Sequence, residues 1–207
     1  MSTLPVLSID TSYDPASQWF ANGRTDLYKE IGAQFDVDHV IGIRAERNRV
    51  LGIIRRAEEE RRPFRAIVVS SHGEPSRVRD DDSPDGILLA ADHPPAELTL
   101  WAKGRVLYFC CCDTARGPLF EALKAHGALA TIGFTGKPHM QSDGGRRLWR
   151  DFDKDIIRCI LHEQSVDAVR AVRGHFLDRI RSSVPNALEP YRSDLSQMSE
   201  VLSTMAF

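Results

Sequence analysis

Ala66-Ile67-Val68-Val69-Ser70-Ser71-His72-Gly73 and Val106-Leu107-Tyr108-Phe109-Cys110-Cys111-Cys112-Asp113 decide the fold of this chain. Each is a short, nearly continuous apolar run that ends on a reactive side chain. Such runs suit central parallel strands covered by helices on both faces. In an open α/β sheet, functional groups collect where strands end at their carboxyl edge. Laid side by side and parallel, the two runs deliver an imidazole and a thiol to the same edge. A cysteine–histidine nucleophile is assembled in this way.

Working outward, Val6-Leu7-Ser8-Ile9 reads as a first strand and Phe35–Ile43 as a second. Pro15–Gly32 is helix-prone, with Trp19, Phe20, Leu27, Tyr28 and Ile31 on its apolar side. Glu46–Arg62 reads as a helix with Val50, Ile53, Ile54 and Ala57 as its buried stripe, stopped by Pro63. Strands are expected over Ala66–Ser71, Arg105–Cys111 and Ala128–Phe134, and helices over Glu97–Lys103, Pro118–His126, Gly145–Glu163 and Ser165–Ser183. Between the third and fourth strands runs a polar insert, Glu74–Pro95, in which only Ile87-Leu88-Leu89-Ala90 looks ordered, as one arm of a hairpin. The alternation of strands and helices predicts an α/β fold: a three-layer α/β/α sandwich with a mostly parallel central sheet.

The chain of 207 residues fits one domain, and its 42% hydrophobic content supplies a core. A net charge of −2 gives no global attraction to nucleic acid or to a membrane surface. No apolar run is long enough to span a bilayer, and Met1-Ser2-Thr3-Leu4-Pro5 lacks a signal-peptide pattern, so a cytoplasmic protein is expected. Three of the four cysteines are consecutive, which makes a poor disulfide framework.

Alternation along a strand sends Cys110 and Cys112 to one side and Cys111 to the other. Only Cys112 reaches the polar turn, so it is the candidate nucleophile, with Cys110 and Cys111 as small core residues. His72 is the candidate base. Gly73 lets the backbone approach a substrate closely and offers its N–H to a developing oxyanion, with the N–H of Cys112 as second donor. Asp113 is a candidate for binding a basic substrate side chain, and also for capping the next turn; Arg116 is a candidate partner for an acidic substrate. Asp80-Asp81-Asp82 and Asp85 form an acidic loop, read as a solvated surface with calcium or basic substrates as the functional alternatives. A zinc set of Cys110, Cys112 and His72 lacks a clear fourth ligand. No cofactor and no metal are expected. The bland reading is that both the histidine and the cysteine are packing residues; their joint position at two strand ends favours function.

At these residues the chain resembles the caspase-like cysteine peptidases (clan CD), and within them the CHAT domains of bacterial caspase-like proteases. The likeness lies in Ser70-Ser71-His72-Gly73, the Leu88–Leu100 segment, Cys112-Asp113-Thr114, the small-residue strand Gly127–Gly133, and Ser165-Val166 leading Ala168 in a late helix. The spacing of 40 residues from His72 to Cys112 is close to the caspase arrangement. The resemblance covers about residues 60–180. It implies peptide-bond hydrolysis through a thioacyl intermediate on Cys112, with His72 as general base. It also implies a protein or peptide substrate and a separate activator, in a bacterial defence or cell-death setting. Residues 1–184 are expected to form the caspase-like domain and 185–207 a polar, loosely held tail. Ala115 stands where relatives often carry glycine, and Cys110-Cys111 where a Ser-Ala pair often precedes the nucleophile. Two other readings stay open: a catalytically inactive caspase-like scaffold, and a flavodoxin-like α/β domain with incidental Cys and His.

Overall fold

β-branched and aromatic runs pair because they cover a sheet on both faces. The computed structural model describes residues 5–31, 35–80, 86–136, 140–162 and 166–207. The first strand, β1 (Pro5–Asp10), leads into helix α1 (Pro15–Ile31) and the strand β2 (Asp36–Ile41). A 3₁₀ turn, Gly42–Ala45, then opens α2 (Arg47–Glu59), which feeds β3 (Ala66–Ser70). The insert folds as β4 (Gly73–Glu74), β5 (Arg77–Arg79) and β6 (Ile87–Ala90). It is followed by α3 (Pro95–Ala102), β7 (Val106–Cys110), α4 (Pro118–Ala125) and β8 (Ala130–Gly133). Three helices complete the order: α5 (Asp143–His162), α6 (Val166–Ser183) and α7 (Tyr191–Ser203).

The large sheet has the order β2-β1-β3-β7-β8, and all four strand pairs are parallel. Even-numbered residues such as Val6, Val68, Tyr108 and Ile132 face a core built with α1, α5, α6 and α7. Odd-numbered residues such as Leu7, Val69, Leu107 and Phe109 face a second core built with α2, α3 and α4. The result is the expected three-layer α/β/α sandwich. The hairpin expected around Ile87–Ala90 is one arm of a small antiparallel sheet, β4-β5-β6. Ser165, expected to open the penultimate helix, lies outside the described residues. Among the described residues, no helix is long and apolar enough to cross a membrane.

One expectation is corrected. The segment from 185 onward is not a loose tail. Leu195, Met198, Val201 and Leu202 of α7, with Met205, are buried in the first core, and Ala206 bridges Gly133 at the outer edge of β8. The apolar spacing in α7 is helical, but serines and charged residues between the apolar positions hide it in composition. Position 184 is therefore not a boundary of the packed unit. On α1, Leu27 is buried and Trp19, Phe20, Tyr28 and Ile31 pack against the first core, as the expected apolar side; the helix also buries Arg24. The Arg24 guanidinium is 0% exposed and bridges Asp10 (3.0 Å) on β1 and Asp153 (2.9 Å) on α5. Tyr108 donates to Asp153 at 2.9 Å, and His39 Nε2 lies 2.5 Å from Asp10. A buried cation is tolerated because each of its charged neighbours is hydrogen-bonded.

Candidate active site

Register places the two reactive groups. In the β3–β7 ladder, Ser70 is opposite Cys110. His72 and Cys112 each lie two residues beyond that pair, so parallel strands deliver both to one edge. They line a common cavity of about 100 Å³ together with Ser71, Cys111, Ala16 and Phe20. The cavity sits over the carboxyl ends of β3 and β7, against the first turns of α1.

The three consecutive thiols differ sharply. Cys110 is 8% exposed and faces the Arg24–Asp153 side; burial, and then the Asp153 carboxylate, push its thiol well up from the ordinary range. Cys111 is 3% exposed on the opposite face; burial pushes it up as well, and its Sγ–H donates to Val69 O at 3.9 Å. Both are held as neutral thiols, which are poor nucleophiles. Cys112 lies past the end of β7 and is partly exposed.

His72 is held by a residue that the sequence reading did not single out. Its Nε2 lies 2.5 Å from Oδ2 of Asp14. The other oxygen of the same carboxylate, Oδ1, accepts the backbone N–H of Ser17 at 2.8 Å, and Ser17 Oγ accepts the N–H of Asp14 at 3.2 Å. This reciprocal pair is a capping box, with Pro15 in the first turn of α1. Burial acts to raise the Asp14 carboxyl. The Ser17 amide and His72 together outweigh it and hold the group below the usual carboxylate range. Tyr13 places its ring 5.5 Å from the imidazole, and burial pushes its hydroxyl up to about 12 although Ser71 hydrogen-bonds it. Ser71 donates to Arg79 O (2.8 Å) and accepts from Thr11 (3.1 Å), so it ties the ends of β1, β3 and β5 rather than serving the thiol. The sequence does carry the cap itself: Asp14-Pro15-Ala16-Ser17 opens a helix just past the end of β1, at the same edge.

Gly73 packs against the turn that carries Cys112. A Cβ there would lie 2.6 Å from Cys112 O and 2.8 Å from Cys111 Cβ, so only glycine fits. His72 O accepts Arg79 N–H at 3.0 Å. Gly73, opposite Val78, is therefore a non-hydrogen-bonded pair, and its own N–H faces away from β5. Ala115 packs its methyl against the second core, and at Gly117 a Cβ would lie 2.3 Å from Pro75 O.

Asp113 and Arg116 are not in the wall of the cavity. Asp113 adopts a left-handed φ of 54°, a conformation aspartate tolerates. Its side chain makes no capping bond and lies 3.8 Å from Arg116, while its carbonyl accepts Arg116 N–H at 3.1 Å. The two substrate-binding candidates face each other. Asp80 is buried, and its N–H donates to Gly86 O; Asp81, Asp82 and Asp85 lie outside the described residues. Among the described residues, no group of three or more His, Cys, Asp or Glu side chains is arranged to hold a metal, and the zinc set of Cys110, Cys112 and His72 does not close.

No protein-family model matches this chain, and no curated protein matches it. Among solved structures it is similar to protein GSU0716 from Geobacter sulfurreducens, a structural-genomics target. The identity is 15% over 86% of this chain and 89% of that one, with a TM-score of 0.45. A likeness at this level bears on neither activity nor site.

Proposed function

We propose that this chain is a caspase-like cysteine endopeptidase of the CHAT type, with Cys112 as nucleophile, His72 as general base and Asp14 orienting the imidazole. The observation that carries the reading is the Ser70–Cys110 register, which brings His72 and Cys112 to one cavity while burial holds the neighbouring thiols inert.

Asp14 accepts the proton of Nε2–H and so leaves Nδ1 as the free base. Nδ1 takes the Cys112 proton, and the thiolate attacks the scissile carbonyl. The N–H groups of Cys112 and Gly73 receive the oxyanion. His72 then protonates the departing amine, leaving a thioacyl group on Cys112. Water, giving a proton to His72, cleaves that ester to a free acid and restores the thiol. A separate activating partner, a cytoplasmic setting and a role in bacterial defence follow from the resemblance to CHAT domains alone.

The strand order is also that of flavodoxin-like domains, which favours a ligand-binding reading. Those domains receive an anionic group at the first helix N-terminus. Here the Asp14 carboxylate already caps that end, and a second anion would be repelled. The peptidase reading is therefore preferred. Its test is labelling by a peptide electrophile directed at thiols, with Cys112→Ala and His72→Ala alongside. Labelling should vanish in the first and slow by about 10²–10⁴-fold in the second. Equal labelling of wild type and Cys112→Ala would sink the assignment.

A further inference from the structure

A second cavity adjoins the first. It measures about 420 Å³ and is lined by Pro15, Ala16, Trp19, Phe20, Met140, Arg146 and Trp149. Ala16, Phe20 and Trp149 also belong to the wall of the His72–Cys112 cavity, so the two spaces are neighbours that share side chains. Most of the wall is aromatic or aliphatic. Among the described residues its one charged member, Arg146, is engaged by Asp143. The Trp19 ring is backed by the Arg150 guanidinium, 5.5 Å from its centroid. The loop that carries Met140 is anchored from behind: Asp194 on α7 accepts the N–H groups of Gln141 (2.8 Å) and Ser142 (2.7 Å). Among the described residues, nothing in the wall offers an unpaired charge to a substrate.

We infer that this cavity receives the side chain of the substrate residue whose carbonyl Cys112 attacks, and that it selects a bulky apolar side chain, aromatic before aliphatic. The inference rests on the proposed peptidase reading and supplies the specificity that Asp113 and Arg116 do not. The wall shared with the thiol's cavity sets the occupant beside the scissile bond. The apolar lining makes Phe or Leu the favoured occupant, since their burial is favourable while Asp or Lys would lose water without a partner.

Tripeptide chloromethyl ketones that differ only in the residue carrying the ketone test this. Capture is an S-alkylation: the Cys112 sulfur forms a bond to the methylene carbon as the carbon–chlorine bond breaks and chloride leaves. The Phe probe should capture Cys112 at least about tenfold faster than the Ala probe, with Asp and Lys probes slower still. Ala16→Trp, which fills the mouth of the cavity, and Trp19→Ala, which removes one wall, should each reduce that Phe-to-Ala ratio severalfold; each variant's own Ala rate is the reference. Rates independent of the side chain, an Asp or Lys probe in front, or a ratio unchanged in both variants would overturn the inference. Iodoacetamide alkylation of Cys112 separates the two failures. A His72-dependent rate with no Phe preference refutes the specificity alone. A rate unchanged in His72→Ala refutes the dyad and takes the specificity with it.

Discussion

Replacing Asp14 by asparagine and by alanine separates its two duties. One carboxylate oxygen caps α1 through Ser17 and the other faces His72. An amide has a single acceptor oxygen, so asparagine serves the helix or the histidine but not both. Asparagine and aspartate are near-equal caps, so Asp14→Asn should lose only the half-exposed contact with His72, about 0–1 kcal/mol. Asp14→Ala loses the cap as well, about 1 kcal/mol more, which in a chain of this size lowers Tm by about 2–4 °C. Both should slow peptide-electrophile capture by about 10²–10⁴-fold, because the imidazole loses the group that fixes its tautomer. The pH dependence has a definite sign. The folded-state value of Asp14 is depressed, so its contribution is present at neutral and mildly acid pH. That contribution disappears only as pH falls through the lowered value, beneath the ordinary carboxylate value of about 4. Thermal unfolding and capture rates across pH measure the two effects separately. Asp14→Asn reacting within about twofold of wild type, with Asp14→Ala showing the Tm loss, would reduce Asp14 to a helix cap and refute its positioning role.

Three further outcomes follow. Gly73→Ala forces a methyl into the Cys112 carbonyl, 2.6 Å away, and should cost about 1–3 kcal/mol in denaturant titration while slowing Cys112 alkylation; a wild-type midpoint would show that the turn yields. Arg24→Met leaves the buried Asp10 and Asp153 carboxylates without their shared cation and should cost about 3–5 kcal/mol, read as a lower denaturant midpoint. Deleting residues from 187 onward exposes the sites of Leu195, Met198, Val201 and Leu202; at about 1.5–3 kcal/mol each, the loss rivals the whole stability of a domain, and the product should be insoluble or unfolded by circular dichroism.

The sheet and its two layers were legible because β3 and β7 are continuous apolar runs and α2 carries an uninterrupted stripe. Cys112 was separable from Cys111 by alternation and from Cys110 by its place at the polar turn, and burial of Cys110 and Cys111 agrees with that. What escaped the sequence was polar. Arg24 reads as a surface charge until two carboxylates 14 and 129 residues away are folded against it. Asp14 acts on a histidine 58 positions away, and no local period reports such a contact. Asp113 and Arg116 look like recognition groups beside a thiol, yet a left-handed turn aims them at each other. The α7 segment was missed because its apolar residues are diluted by serines; its burial depends on tertiary packing that composition does not reveal.

The bridge between Gly133 and Ala206 has a bearing on association. Both backbone bonds are made, N–H of each to C=O of the other, at 3.1 and 3.0 Å. They occupy the outward hydrogen-bonding edge of β8 at that position, where a neighbouring molecule would otherwise add a strand. At the opposite margin, β2 presents Asp36 and Asp38, and Arg62 is paired with Asp36. Lateral growth of the sheet between molecules is thus obstructed by the chain's own backbone on one flank and discouraged by charge on the other. A sheet-to-sheet dimer through β8 would first have to peel Ala206 away.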